Sequence, residues 1–543
     1  MTTTAGPKLA TKRFTREDLR GKELRYLLTI EYAGRIYYLA HGEHAILSSV
    51  SGDTLNFIGG LVNDIEWEDA VELFSSSAEV RSVSLDIILP DDVADLVARG
   101  HDLLRATGEL SLWIVGTTYE TRQTLLRGRF ASPSYGRDGE VLSVSIQDEP
   151  FEDATVYPPA TYVVDLTTWP NCSENDIGKV YPTLFGASAP SGSSSPGNTS
   201  ISRALFVDTT GAAEVVLIAH HRLTSTTAVI TDAASNTAAS LAIYYAADGR
   251  GHTCALVNVS TLTIVGTDDE FFVTLPDGGW PDPETGTAMS GAGSILATLL
   301  SLTRLTVDRG RILAARDRLN RFKIGFTILE QVNLWEFITS NLSPILPMSF
   351  VTGPYGLFVI AYDYGATVRD CVDVLDFEED VSIDLNGNIE YDAEVGDLYN
   401  AFTLDWALRA RTGVMRGRMT LSGSRDEADP FAMESLYCAA SEARYGRREM
   451  AMESTVIYSE VTAGMVLSWL ARRYALPTRV ATITAREDRA WIERGSPVLL
   501  NYPAAGLRNE VVQVENVTHY TDGSVELRVR ITDDPARAFR HSG

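Results

Sequence analysis

Four stretches of this sequence hold residue types whose spacing could do chemistry. His220-His221 is the most metal-like pair. Neighbouring residues on a strand point to opposite faces, so the two rings would not ligate one ion without distortion. His41 and His44 sit three apart with Glu43 between them. On a helix that spacing brings both imidazoles together, whereas the expected loop between strands separates them. The acidic runs 373–380 and 384–397 are the third stretch. Asp384, Asn386, Asn388 and Glu390 put oxygen side chains at alternate positions, as a calcium loop requires. A hairpin accounts for the same residues through an Asn386-Gly387 turn with the acids on a solvated face. Glycosidase-type carboxylate pairs stay open on sequence alone, though no substrate-stacking aromatic cluster accompanies these acids. Fourth, Gly291-Ala292-Gly293-Ser294 precedes a helical stretch in the manner of a phosphate loop. It lacks the lysine and the preceding apolar strand, so a helix cap is expected, with Ser294 as the capping residue.

No HExxH, GxxxxGK[ST] or GxSxG is present. The cysteines Cys172, Cys254, Cys371 and Cys438 are far apart, without a CxxC pair. That pattern supports neither a zinc site nor a disulfide framework, and buried free thiols in a reducing compartment are expected. Tyr445-Gly446-Arg447-Arg448 offers arginines to an acidic partner, or else solvated loop arginines. Catalytic residues, cofactor-binding residues and metal ligands are therefore expected to be none, no cofactor is called for, and the chain is not expected to be an enzyme.

The elements that would position any such residues follow from the patterning. The 543 residues carry a net charge of −26, with 45% hydrophobic and 22% charged residues. The length suits several domains of about 150 residues each. The acidity argues against a surface that wraps nucleic acid, since phosphate binding needs clustered Lys and Arg. It suits solubility, or a channel wall to which passing DNA does not adhere. No apolar run reaches the roughly 18 residues of a membrane-spanning helix, and the first residues show no secretory signal.

Residues 1–20 read as an N-terminal arm. Residues 21–157 read as a first β-barrel domain: a hairpin over 24–39, further short strands at 54–58, 83–89, 112–115, 125–130 and 141–146, and one helical interruption at 91–105. Residues 158–202 are a linker with an exposed loop at 191–202, rich in Ser, Gly, Pro and Asn. Residues 203–285 are a β-rich insertion. Residues 286–380 form an α+β unit, with helices over 294–302, 309–321 and 333–342 and a hairpin over 347–361 turning at 353–356. Residues 381–450 return to strands, including 398–406 with a possible bulge, and to a polar loop at 425–430. Residues 451–543 read as a helix at 461–475 followed by a closing barrel. Its last hairpin alternates Val525, Leu527, Val529 and Ile531 with Glu526, Arg528 and Arg530 around an Asp522-Gly523 turn. The expected fold is thus α+β but β-rich, multidomain, with small β-barrel or sandwich domains and a central helix-containing α+β unit.

The order of these modules over about residues 290–533 resembles the tail-hub and tail-tip (baseplate hub-like) proteins of long-tailed bacteriophages and gene transfer agents. The resemblance lies in the paired helices before the strand at 324–326 and in the helix and hairpin of 334–361. Leu398-Tyr399-Asn400-Ala401-Phe402-Thr403-Leu404 is similar to their strand in which an Asn precedes an alternating run. The segment 441–447 resembles their Ser…Tyr-Gly-Arg segment. Arg494-Gly495-Ser496-Pro497-Val498 stands where a Gly-Asp-x-Val turn often enters a barrel strand, with Ser and Pro departing from the acidic pattern. The short Val180–Gly186 run is similar to a linker in such proteins.

The resemblance implies a structural virion protein: a homotrimeric ring at the tail tip, assembled in the bacterial host cytoplasm. It would join the tail tube end to the three-fold tip and frame a DNA exit channel. Implied partners are the distal tail protein, the tape measure protein and tip or fibre proteins, with no specific nucleic-acid binding. Two other readings stay open. A distal tail ring or receptor-binding tip protein would carry exposed aromatics, for example in 203–285. A glycan or peptidoglycan hydrolase would need acids converging in a cleft.

Overall fold

The structure is a computed structural model. It describes residues 16–63, 65–69, 82–88, 90–135, 141–147, 155–186, 202–210, 214–233, 237–262, 270–276, 278–352, 355–363, 366–380, 382–387, 389–391, 398–409, 413–423, 432–520 and 523–531. Residues 1–15 of the N-terminal arm, the Ser-rich loop up to residue 201, Gly353 and Pro354, the loop at 425–430 and Asp522 lie outside the described residues; the end of the arm, Arg16–Leu19, is a helical turn that buries Leu19 in the core. The chain forms two compact units, each assembled from separated segments. The first comprises Met1–Phe151, Ser349–Asp392 and Thr478–Thr532, and the second Glu152–Met348, Ala393–Pro477 and Asp533–Gly543. The fold is a β-rich, multidomain α+β.

The first unit holds two large sheets over one core. In one sheet the strands run in the order His44–Leu47, Thr54–Gly59, Arg35–Ala40, Leu24–Tyr32, Thr107–Ile114, Gln123–Tyr135, Val141–Gln147 and Ser82–Ile88. Leu24–Tyr32 and Arg35–Ala40 form the expected hairpin, with positive φ at both Ala33 and Gly34, the geometry that matches strand twist in a two-residue turn. Leu28, Ile30 and Tyr32 face inward. The sheet curls back on itself, so that the segment after Thr54–Gly59 reaches Ser82–Ile88: Ile88 N donates to Gly60 O (2.8 Å) and Val62 N to Asp86 O (2.9 Å). The helical interruption is observed as Asp91–Ala98 with a 3-10 turn at Leu103–Arg105.

The other sheet orders Val374–Asp376, Pro497–Tyr502, Leu507–Tyr520, Val525–Ile531, Arg479–Ala485 and Ile383–Leu385, with Glu390–Tyr391 also on Arg479–Ala485. Its long strand Leu507–Tyr520 takes a further partner from far away in sequence. Glu66–Asp69 pairs antiparallel with it, Tyr520 opposite Glu66 and Val517 opposite Asp69. Leu28, Leu110, Phe130 and Val144 from one sheet share a buried cluster with Ile483, Leu500, Val514 and Leu527 from the other. The Tyr26 hydroxyl donates to Tyr520 O at 3.0 Å.

The second unit contains a closed barrel in the order Ser202–Asp208, Val215–Ala219, Thr253–Asn258, Ala238–Ala247, Thr227–Asp232 and Phe271–Thr274. Phe206, Val216, Ile218, Ile230, Val257 and Phe271 fill it. Closure removes the exposed edges that an open sheet of this size would present.

The helices of the second unit are Ala292–Leu302, Arg309–Leu319, Leu334–Asn341, Ala432–Tyr445 and Glu460–Tyr474. Ser294 is not the cap of the first: Gly291 occupies that position without a side-chain cap bond. Asn333 does cap Leu334–Asn341, accepting from Glu336 N. A three-stranded sheet places Ala401–Arg409 between Val414–Leu421 and Glu449–Ser454. Ala401–Arg409 pairs with Val414–Leu421 in constant register, without the shift a bulge would produce, but Ala407 takes a positive φ, drops out of the pairing and donates to Ile457 O at 2.8 Å. The pairing with Glu449–Ser454 is parallel, so the chain must cross over between them. That crossover includes Ala432–Tyr445, a helix the sequence pattern does not announce. Its buried positions include Glu434, Ser435, Cys438, Ala440 and Ser441, which are too small and polar to read as an apolar stripe.

Candidate functional site

The histidine pair sits in a buried aromatic cluster of the second unit. Both residues follow strand Val215–Ala219, and their rings lie 5.2 Å apart, edge to face. They are therefore neighbours, not residues on opposite faces of a strand. Each is held from both ring nitrogens. The His221 Nδ1–H donates to Arg222 O (2.8 Å), and Nε2 accepts from Leu184 N (3.1 Å). His220 Nε2 accepts from the Tyr157 hydroxyl (2.9 Å), and its Nδ1 lies 3.3 Å from Pro182 O. Trp280 stacks on His221 at 4.4 Å. Burial pulls His220 down to about 4 and His221 down to about 3. Neutral rings with both nitrogens engaged have no lone pair left for a metal.

Next to them is a grouping the sequence reading missed, although Asp248, His252 and Cys254 lie within seven residues. The His252 Nδ1–H donates to Asp248 Oδ2 (3.0 Å), and the same carboxylate accepts from Tyr181 (2.9 Å) and from the backbone of Arg250 and His252. Tyr162 stacks on His252 at 4.2 Å. The arrangement has the outline of a Cys–His–Asp nucleophile, but the thiol faces elsewhere. Cys254 Sγ donates to His252 O, and burial pushes it up to about 12. A thiol that stays protonated is no nucleophile. What the grouping does is close the turn before strand Thr253–Asn258.

His41 and His44 are drawn to different neighbours. His41 Nε2 lies 2.9 Å from Asn63 O, and the His44 ring meets Trp113 at 5.8 Å. Among the described residues, no group of three or more His, Cys, Asp and Glu side chains is placed to hold a metal ion.

The glycine-rich helix start is a packing joint. Ser294 N donates to Asn320 Oδ1 (2.8 Å), Asn320 Nδ2 donates to Ser294 Oγ (3.1 Å), and Ala292 N donates to Phe322 O (2.9 Å). Two of the backbone donors that a phosphate would use, on Ala292 and Ser294, are taken by the end of the next helix. A Cβ on Gly293 would stand 2.3 Å from Arg316 O, so only glycine lets the two helices come this close.

The acidic run 373–380 folds around a cation that the sequence reading did not single out. Arg489 is 1% exposed. It donates from Nε to Asp373 (3.2 Å), from Nη1 to Ser382 Oγ (2.7 Å) and from Nη2 to Asp380. Burial opposes ionisation of Asp380, but bonds from Ser382 and Arg489 outweigh it and hold the carboxyl down to about 2. Asp376 accepts from Glu378 N and Asn501 Nδ2. In the second acidic stretch, Asp384 Oδ1 accepts from Leu385 N, and Asn386 Nδ2 donates to Glu526. Oxygens of Asp373, Asp376, Asp380 and Asp384 are thus bonded to the chain itself; Asn388 and residues 392–397 lie outside the described residues.

Two of the motifs that carried the family resemblance meet at one side chain. Asn400 is fully buried. Its Nδ2 donates to Gly446 O (2.8 Å) and Ser441 Oγ (3.2 Å), and its Oδ1 accepts from Arg448 N (2.7 Å). Helix Ala432–Tyr445 ends at Gly446, whose φ of 74° is the left-handed conformation that glycine adopts at a helix end. Arg447 pairs with Glu449 at 2.7 Å on the surface.

No protein-family model matches the chain, and no curated protein does. Solved structures similar to it include the tail protein from Neisseria meningitidis MC58, 12% identical with a TM-score of 0.35, over 93% of this chain and 96% of that one. The 43 kDa tail protein of prophage MuSo2 from Shewanella oneidensis is 8% identical with a TM-score of 0.33, over 94% and 99%. Prophage tail protein gp18 from Listeria monocytogenes EGD-e is 8% identical with a TM-score of 0.33, over 93% and 94%.

Proposed function

We propose that this chain is a structural protein of a virion tail and, within it, the hub at the tail tip. It forms a homotrimeric ring that joins the end of the tail tube to a three-fold tip and frames the opening through which DNA leaves. Its partners are the distal tail protein on one side, tip or fibre proteins on the other, and the tape measure protein within. The observation that carries this reading is the Asn400 joint. The Asn-led strand and the Ser…Tyr-Gly-Arg segment, two separate motifs of the resemblance, are tied by three hydrogen bonds from one buried amide. They therefore belong to one structural device, which is better support than two short motifs counted separately. Polar side chains turned inward fit the same role. Arg489, Asp248, His221 and Asn320 each bind segments of the chain to one another.

Mass measurement of the purified protein tests the proposal. A mass three times that of the 59.3 kDa chain is expected, together with antibody labelling at the tail tip of intact particles. A stable monomer that hydrolyses glycan or peptidoglycan would overturn it.

A further inference from the structure

The charge of this protein is unevenly distributed. Seven of its 46 Lys and Arg, against two of its 72 Asp and Glu, lie between Arg304 and Lys323; these twenty residues carry +5 and the rest of the chain −31. The segment is built on helix Arg309–Leu319, which buries Ile312, Ala315 and Leu319 and leaves Arg304, Arg309, Arg318, Arg321 and Lys323 exposed. At 1.5 Å per residue the helix is about 16 Å long. Surface charges are screened over about 8–10 Å in physiological salt, so a partner touching this segment meets its local positive charge and not the net charge.

We infer that this segment is one half of the contact between copies of the chain, docking on an acidic surface of the neighbouring copy. The inference rests on the ring assembly proposed above. A ring is closed by heterologous contacts, in which one patch of each chain meets a different patch of the next. A cationic segment on an otherwise acidic chain supplies two unlike, complementary patches on a single sequence. Arginine forks suit carboxylates, which they bind through paired N–H donors. A nucleic acid fits less well. Carboxylates are supplied by every neighbouring copy, since the rest of the chain carries −31, whereas a nucleic acid must come from outside the assembly.

The test is the triple variant Arg304→Glu, Arg309→Glu, Lys323→Glu, made at exposed positions and checked for unchanged thermal unfolding. Analytical ultracentrifugation across salt concentrations, with wild type alongside, reads assembly. Wild type is expected to assemble and to weaken with salt, and the variant to assemble at least about a hundredfold more weakly, since like charges now face each other. A variant that assembles as wild type does, with the same salt dependence, overturns the inference and leaves the hub reading standing. A wild type that never assembles overturns the hub reading itself. A third arm uses a short double-stranded DNA probe: retention by wild type, lost in the variant while assembly is unaffected, makes the segment a nucleic-acid contact and overturns the inference.

Discussion

The side chain of Asn400 accepts from Arg448 N at 2.7 Å and donates to Gly446 O at 2.8 Å, so one buried amide holds both sides of the turn that ends helix Ala432–Tyr445. Strand Ala401–Arg409 begins at the next residue, and its parallel neighbour Glu449–Ser454 begins just after Arg448. The amide thereby sets where the two strands start relative to each other.

Asn400→Ala is expected to cost about 2–3 kcal/mol, because a backbone N–H and a carbonyl are left buried without partners. Asn400→Asp keeps the acceptor but loses both donors and buries a carboxylate, and should cost at least as much. Denaturant unfolding measures both. An Asn400→Ala protein as stable as wild type would remove the joint from the account.

Gly293 and Gly310 make a paired test of helix packing. Gly293→Ala forces a Cβ to within 2.3 Å of Arg316 O and is expected to destabilise by about 1–3 kcal/mol, as overpacking does. In Gly310→Ala the nearest atom is 3.4 Å away, at Asp308 Oδ1. That change should be neutral or stabilising by up to about 1 kcal/mol, through helix propensity. Equal effects of the two substitutions on the thermal midpoint would contradict the close approach.

Acid should loosen the histidine cluster before it affects the carboxylates. His221 lies at about 3 in the folded protein and near 6.5 when unfolded. Between those values the unfolded chain binds the extra proton, so stability is fully present above about pH 6.5 and falls as the pH drops toward 3. Below the unfolded value the loss approaches about 1.4 kcal/mol per pH unit for one such group. His221→Gln retains an amide that can donate and accept but does not titrate. Its stability difference between pH 7.5 and 5 should be smaller than that of wild type, and an identical pH dependence would rule out His221 as the source.

Replacing Arg489 should be among the most damaging single changes in the first unit. Arg489→Ala leaves Asp373 and Asp380 without their cation in a buried setting and is expected to cost about 3–5 kcal/mol. The depressed carboxyl of Asp380 adds a pH signature. In wild type its contribution is present above the unfolded value near 4 and is lost as pH falls toward about 2. Without Arg489 that acid-dependent part should shrink. Unfolding free energies at pH 3 and pH 6, for wild type and variant, measure both effects.

Much of the local structure was legible in the sequence. Alternation over Leu24–Tyr32 and over Val525–Ile531 marks strands with one buried face, and the spacing of Ile295, Leu296, Leu299 and Leu300 marks a helix with one buried side. These patterns record which way successive side chains point, a property of a few neighbouring residues. The candidate sites were less legible. The glycines at 291–293 and the acids at 373–380 were visible as types, but not the Asn320 and Arg489 side chains that occupy them.

The sequence by itself determined the period of each element, the turns between neighbours and the apolar residues available for burial. Only the tertiary structure decided which distant segments meet. Glu66–Asp69 joins a sheet formed by residues more than 300 positions away, and Arg489 enters an acidic run more than a hundred residues upstream. A strand edge or a buried charge is satisfied by whatever complementary group the completed core brings near. The entropic cost of closing a loop grows only slowly with its length, so sequence separation carries little information about which partner that will be.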